Sequence, residues 1–240
     1  MNEPTAAERI PVAVPSPDGR SGLATLGRVT GAAGIVTLLA VVGTSLVNGY
    51  QNQSMTEAAP AILSFFRSLD DRVGWLMSYA TSVGLIACLW FAIGLALTLR
   101  SHERGVPWRS TFLAAAGVVT VVSGQIASWD AAVFRSDSIT PQVATYAYDL
   151  GNISFANSWV ATGAIGICAG LVMLRAPGLP RWAAWWGLVA GAGEVLARAW
   201  FRHGFAYLPF ALYWAWVLAM SILLLAGCLT ARSDQPGLAL

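Results

Sequence analysis

The chain has 240 residues, 56% hydrophobic and 11% charged, with 14 basic and 12 acidic side chains, a net charge of +2 and a mean hydropathy of +0.61. About a quarter of the residues of a soluble domain are charged, so this composition excludes a soluble enzyme, a disordered chain and a coiled coil. The small net charge excludes a nucleic-acid partner.

The charges gather between long uncharged runs, the pattern of a polytopic membrane protein. Residues 1–22, with Pro4, Pro11, Pro15 and Pro17 among small and polar side chains, read as a disordered cytoplasmic leader. They do not read as a signal peptide, because the first apolar run starts late and is long enough to span. A six-helix transmembrane domain is expected over 23–231 and a short cytoplasmic tail over 232–240.

Crossing a bilayer takes ~20 mostly apolar helical residues. Six runs qualify: Val29 to Gly49, Val73 to Leu99, Thr111 to Trp129, Ile153 to Leu174, Ala183 to Phe201 and Pro209 to Thr230. They are too long and too uniformly apolar for barrel strands, so the expected fold is all-α, a polytopic membrane bundle of six transmembrane helices. The first outer connector contains Ile62, Phe65, Phe66 and Leu69 on one helical face with Pro60 at the first turn, and reads as an interfacial helix or a lid over the bundle mouth. In the second, Thr140-Pro141 is a capping pair before Val143, Tyr146, Ala147 and Leu150, another short helix ending at Gly151. Asp70-Asp71 reads as a cap before the second span. The cytoplasmic connectors are tight turns, Gly105-Val106-Pro107 and Gly178-Leu179-Pro180, within two similar hairpins that suggest a weak parallel duplication.

Every basic residue is arginine. Nine fall in the tails and the two tight connectors, four on the other side, and Arg198 within the fifth span. The positive-inside rule then puts both termini in the cytoplasm, and the whole is read as a bacterial inner-membrane protein.

Glu194 and Arg198 carry the most information, because ionisable side chains at membrane depth usually face the protein interior. Their i,i+4 spacing, glutamate first, is the favoured order for an intrahelical pair. Gly187 and Gly191 share that face, and the strings Gly27/Gly31, Gly166/Gly170 and Gly187/Gly191 predict close helix contacts. Gln125, Asp130, Asn152, Asn157 and Tyr213 reach the same outer level. Together they outline an outward-facing polar pocket with Glu194 and Arg198 at its floor, or else a set of interhelical hydrogen bonds.

Cys88, Cys168 and Cys228 are scattered in apolar runs, and His102 and His203 lie on opposite sides, so no disulfide framework, metal site or cofactor is expected. No HExxH, GxSxG or Walker lysine occurs.

The stretches Leu179-Pro180-Arg181-Trp182 with Trp186-Gly187-Leu188-Val189-Ala190-Gly191, and Gly151-Asn152-Ile153 with Ala156-Asn157-Ser158-Trp159, resemble a family of bacterial six-helix integral membrane proteins of unknown function. The resemblance covers most of the membrane part and implies a fold but no activity. The favoured functional expectation is a non-enzymatic protein binding a membrane lipid or hydrophobic small molecule, with helix-mediated self-association open. The alternatives are a transporter or accessory subunit with a proton-sensitive Glu194, a membrane-embedded enzyme using Glu194, Asp130 or His203, and a scaffold acting through its leader.

Overall fold

The computed structural model describes residues 17–49, 56–103, 105–124, 127–201 and 207–229. Gln125, His203 and residues 1–16 and 230–240 lie outside the described residues. Eight α-helices follow in chain order: α1 (Pro17–Gly49), α2 (Ala59–Ser68), α3 (Asp71–Arg100), α4 (Trp108–Ser123), α5 (Ala127–Phe134), α6 (Pro141–Arg175), α7 (Arg181–Ala197) and α8 (Tyr207–Leu225). A single 3₁₀ turn, Arg198–Trp200, continues α7. No strand occurs among the described residues.

Five segments are long and apolar enough to cross a membrane: Gly22–Thr44, Asp71–Arg100, Trp108–Phe134, Pro141–Arg175 and Tyr207–Leu225. The remaining expected span falls on α7, which has 17 helical residues. α1 begins at Pro17, inside the stretch read as leader. The short helix expected after Thr140 is not separate: α6 runs unbroken for 35 residues, because nothing between Val143 and Leu174 interrupts its backbone ladder.

Helix starts follow local chemistry. Asp70 accepts from the backbone N–H of Arg72 at 2.8 Å and of Val73 at 3.3 Å, capping α3. The Thr140 hydroxyl accepts from Val143 ahead of Pro141 on α6, and Pro60 sits in the first turn of α2. Gly105 (φ +79°) and Gly178 (φ +83°) supply the left-handed residue that each Gly-Xaa-Pro turn requires.

The six long helices pack as a ring in the order α1, α3, α4, α6, α7, α8 and back to α1. Glycines set the closest approaches. A Cβ on Gly163 would lie 2.5 Å from the Gly191 carbonyl oxygen, one on Gly166 2.8 Å from that of Gly187, and one on Gly170 2.6 Å from that of Ala184. The expected small-residue contact between the fourth and fifth spans is therefore the α6–α7 seam, backbone against backbone. Gly31 similarly abuts the Ser221 carbonyl and Leu225 of α8.

The bundle has two unlike ends. The turn end carries the tight turns, and its core is filled by Phe91, Leu95, Leu99, Leu113, Ile165, Met173 and Leu224. The cap end carries α2 and α5. There Ile62, Leu63, Phe65 and Phe66 of α2 pack on Ala132, Val133, Ala144, Ala147 and Tyr148. Trp129 lies among them, with ring centroids 5.6 Å from Phe65, 5.3 Å from Phe66 and 5.1 Å from Tyr148. Arg67 Nε donates to the Ser136 carbonyl oxygen at 3.1 Å, tying α2 to the segment after α5. The apolar face read in the sequence as an interfacial or lid surface is thus turned down onto the bundle.

Candidate functional site: a cavity under the cap

A cavity of about 530 Å³ lies in the cap-end half of the ring. Each wall is one helical face. Thr37, Ala40, Val41 and Thr44 come from α1, and Thr81, Gly84, Leu85 and Cys88 from α3, both at i, i+3, i+4, i+7 spacing. α4 adds Thr120 near its end, α5 contributes Trp129, and α8 contributes Tyr207, Phe210 and Trp214. α6 supplies the longest wall, from Gly151 and Asn152 through Phe155, Ser158 and Trp159 to Thr162. Trp129 belongs both to this lining and to the aromatic cluster under α2, so the cap rests on the cavity roof.

The lining is apolar and aromatic, broken by hydroxyls most of which are already committed as donors. Thr37 donates to the Ala33 carbonyl oxygen at 2.9 Å, Thr44 to Val41 at 3.1 Å, Thr120 to Ala116 at 2.9 Å and Ser158 to Phe155 at 2.6 Å. Asn152 Nδ2 likewise donates to the Tyr148 carbonyl oxygen at 2.9 Å. What these groups still offer is acceptor oxygen.

Thr162, deepest on the α6 wall, donates to Oε2 of Glu194 at 2.5 Å. Glu194 projects from α7, which contributes nothing to the lining, and it is wholly buried. Its Oε1 is buried without a hydrogen-bond partner among the described residues.

The expected Glu194–Arg198 ion pair does not form. The α-helical turn gives way to 3₁₀ geometry at Arg198, and that side chain reaches outward. Arg198 Nε donates to Oδ1 of the exposed Asn157 at 2.8 Å, and its guanidinium sits 4.9 Å from the centre of the Phe201 ring. Glu194 turns to a neighbouring helix instead. The other expected site residues are dispersed. Asp130 accepts from Ser78 Oγ at 2.7 Å, joining α5 to α3, and Tyr213 is buried between Trp214 and Trp216. Of the described members of the set, only Asn152 lines the cavity.

Sequence reasoning missed the threonines. The signal lay in Thr37/Thr44 and Thr81/Cys88, each seven residues apart on one face of an apolar helix. No group of three or more His, Cys, Asp or Glu among the described residues could hold a metal ion. No family model, curated protein or solved structure matches the chain.

Proposed function

We propose that this is a six-span integral membrane protein that holds an apolar small molecule or lipid chain in the cap-end cavity. The observation that carries the reading is a partly open cavity of about 530 Å³ with aromatic walls and hydroxyl acceptors, within the ordinary size range of ligand sites, about 300–1,000 Å³. Thr37, Thr44, Thr120 and Ser158 donate to their own helices and offer acceptor oxygens. The indole N–H groups of Trp159 and Trp214 are buried donors with no partner among the described residues. The best-matched ligand therefore has an apolar body and one group that both donates and accepts, such as a hydroxyl.

Six spans are supported by length. The α-helical part of α7 is about 26 Å long and its 3₁₀ continuation about 6 Å, near the ~30 Å of a hydrocarbon core. Large apolar side chains such as Leu39, Ile86, Val122 and Val189 face outward from the ring, as lipid contact requires. Exposed Trp108, Trp182 and Trp185 at the turn end, with Trp75, Tyr79 and Tyr146 at the cap end, fit two interfacial belts. The arginine distribution favours a cytoplasmic turn end and an inner-membrane location, with the cavity toward the outer leaflet.

A transporter or accessory subunit working through Glu194 is the second reading, favoured by the Thr162–Glu194 bond behind the cavity floor. It requires a polar path through the turn-end half, where the core is aliphatic and aromatic. Ligand holding is therefore preferred.

Native mass spectrometry of the full chain in mild detergent tests the proposal. Wild type is expected to retain an apolar molecule, and Thr81→Trp, which fills the cavity from α3, to lose it while still unfolding cooperatively. An empty wild type, or equal retention by Thr81→Trp, overturns it.

A further inference from the structure

A second cavity, about 310 Å³, opens at the turn end between the α3–α4 and α6–α7 hairpins. It is lined by His102, Glu103, Arg109, Val172 and Arg175. Four of these five are ionisable, a composition foreign to helix packing and unlike the cap-end cavity.

The charges do not cancel. The Glu103 side chain is 1% exposed, and both of its oxygens are occupied. Oε1 accepts from the backbone N–H and Nη1 of Arg109, each at 3.1 Å. Oε2 accepts from the backbone N–H and hydroxyl of Ser110, at 3.1 and 2.9 Å. Glu103 thus caps the N-terminus of α4, where Pro107 offers no side-chain acceptor, and neutralises Arg109. Two things are left over. Among the described residues, Arg109 Nε is buried with no acceptor and no carboxylate pairs with Arg175. His102 adds a third nitrogen-bearing side chain, its Nε2 lying 3.3 Å from the Leu229 carbonyl oxygen.

A buried guanidinium N–H without an acceptor calls for one. The Arg109 plane is fixed from both sides: Glu103 holds Nη1, and the Trp108 ring centre lies 4.4 Å from the guanidinium carbon. Exposed Trp108 and Trp182 mark this level as the depth of lipid headgroups. Arginine forks match phosphate oxygens, and basic pockets between helices on the arginine-rich side of a membrane protein suit anionic head groups.

We propose that the turn-end cavity binds a phosphate group, held by the guanidinium groups of Arg175 and Arg109 with His102 beside them. The site is independent of the cap-end cavity. The Gly-Xaa-Pro turns do not cradle the anion; side chains from two hairpins do. The same chemistry would take a phospholipid head group from the adjoining leaflet or free inorganic phosphate.

The test uses the full chain in detergent with two probes: phosphatidylglycerol, counted as retained adducts by native mass spectrometry, and inorganic phosphate, read as a thermal shift. Arg175→Gln is expected to weaken binding about five- to tenfold, the effect of one arginine at such a surface. Glu103→Gln keeps an acceptor for α4 and removes the opposing charge, so it should strengthen binding by a similar factor. Retention of phosphatidylglycerol without a shift from inorganic phosphate identifies a lipid head group, and a phosphate shift that competes with the lipid identifies the free anion. Binding of neither probe, or binding indifferent to both substitutions, overturns the proposal. Should Arg175→Gln fail to fold, the Glu103→Gln arm decides: tighter binding upholds the site and unchanged binding rejects it.

Discussion

Thr162 on α6 donates its hydroxyl hydrogen to Oε2 of Glu194 on α7 across 2.5 Å, and Glu194 has no exposed surface. The bond joins the deepest point of the cavity wall to a helix that does not reach the cavity. It crosses the α6–α7 seam at the level of Gly163 and Gly191, where two backbones are already in contact. Because Glu194 Oε1 has no hydrogen-bond partner among the described residues, the carboxyl depends there on this single donor.

Removing the donor should therefore cost more than one ordinary hydrogen bond. Thr162→Val is expected to destabilise the fold by about 1–3 kcal/mol, the penalty of a buried acceptor left unpaired. Glu194→Gln, which keeps an acceptor of the same shape, should lose less. The double variant Thr162→Val/Glu194→Leu should recover part of the loss, with a coupling of about 0.5–3 kcal/mol. Thermal unfolding of the three variants in detergent measures this, and strict additivity would show that the two side chains do not act together.

The seam itself makes a second prediction. A Cβ at Gly166 would lie 2.8 Å from the Gly187 carbonyl oxygen and 3.4 Å from both the Gly191 Cα and the buried Tyr213 ring, so the closest neighbour is backbone that cannot give way. Gly166→Val should push the helices apart and destabilise by about 1–3 kcal/mol or more. Gly43, with nothing within 4 Å of its Cβ position, is the control: Gly43→Ala should leave stability unchanged or raise it by up to about 1 kcal/mol. The midpoints of denaturant titrations in mixed micelles distinguish the two.

The features that depend on one segment alone were legible in the sequence. The long apolar runs, the Asp70 and Thr140 caps, Pro60 in a first turn and the two Gly-Xaa-Pro turns all occur where residue order puts them. The glycine strings announced the α6–α7 contact because small residues spaced four apart can do little else in a membrane helix. Choices between partners were not legible. Spacing of i,i+4 permits a Glu194–Arg198 pair, but it cannot say whether Thr162 or Asn157 on another helix lies closer. The cavity was hidden for the same reason: its lining is one face from each of several helices, and their rotations about their own axes are set only by packing. Glu103 had a weak signal, an acid just upstream of a helix whose cap position is proline.

Glu103 also gives the stability a pH dependence at the turn end, outside the segments long and apolar enough to cross a membrane. Burial alone would raise its carboxyl, but the backbone and side-chain hydrogen bonds from Ser110 and Arg109 outweigh burial and hold it below the ordinary 4.5. A value lowered on folding means that the unfolded chain binds the proton more tightly. Its contribution is then fully present above the unfolded value and is lost as pH falls through the lowered folded one. Wild type should lose stability on acidification below about pH 4, and Glu103→Gln should lack that component while being less stable at neutral pH. Unfolding midpoints across an acid series, wild type against variant, check the sign.

Orientation can be read from a native thiol. Cys88 and Cys168 are buried, whereas Cys228 is exposed in the turn after α8, at the same end as Arg100, Arg175 and the two tight hairpin turns. If the arginine-rich end faces the cytoplasm, a membrane-impermeant maleimide should leave the protein unmodified in intact cells. The same reagent should modify it in inside-out vesicles, and Cys228→Ser should abolish that signal. Burial and lipid should keep Cys88 and Cys168 silent in both preparations. Labelling of Cys228 in intact cells would invert the topology, placing the charged turn-end cavity outside and the cap over the cytoplasm.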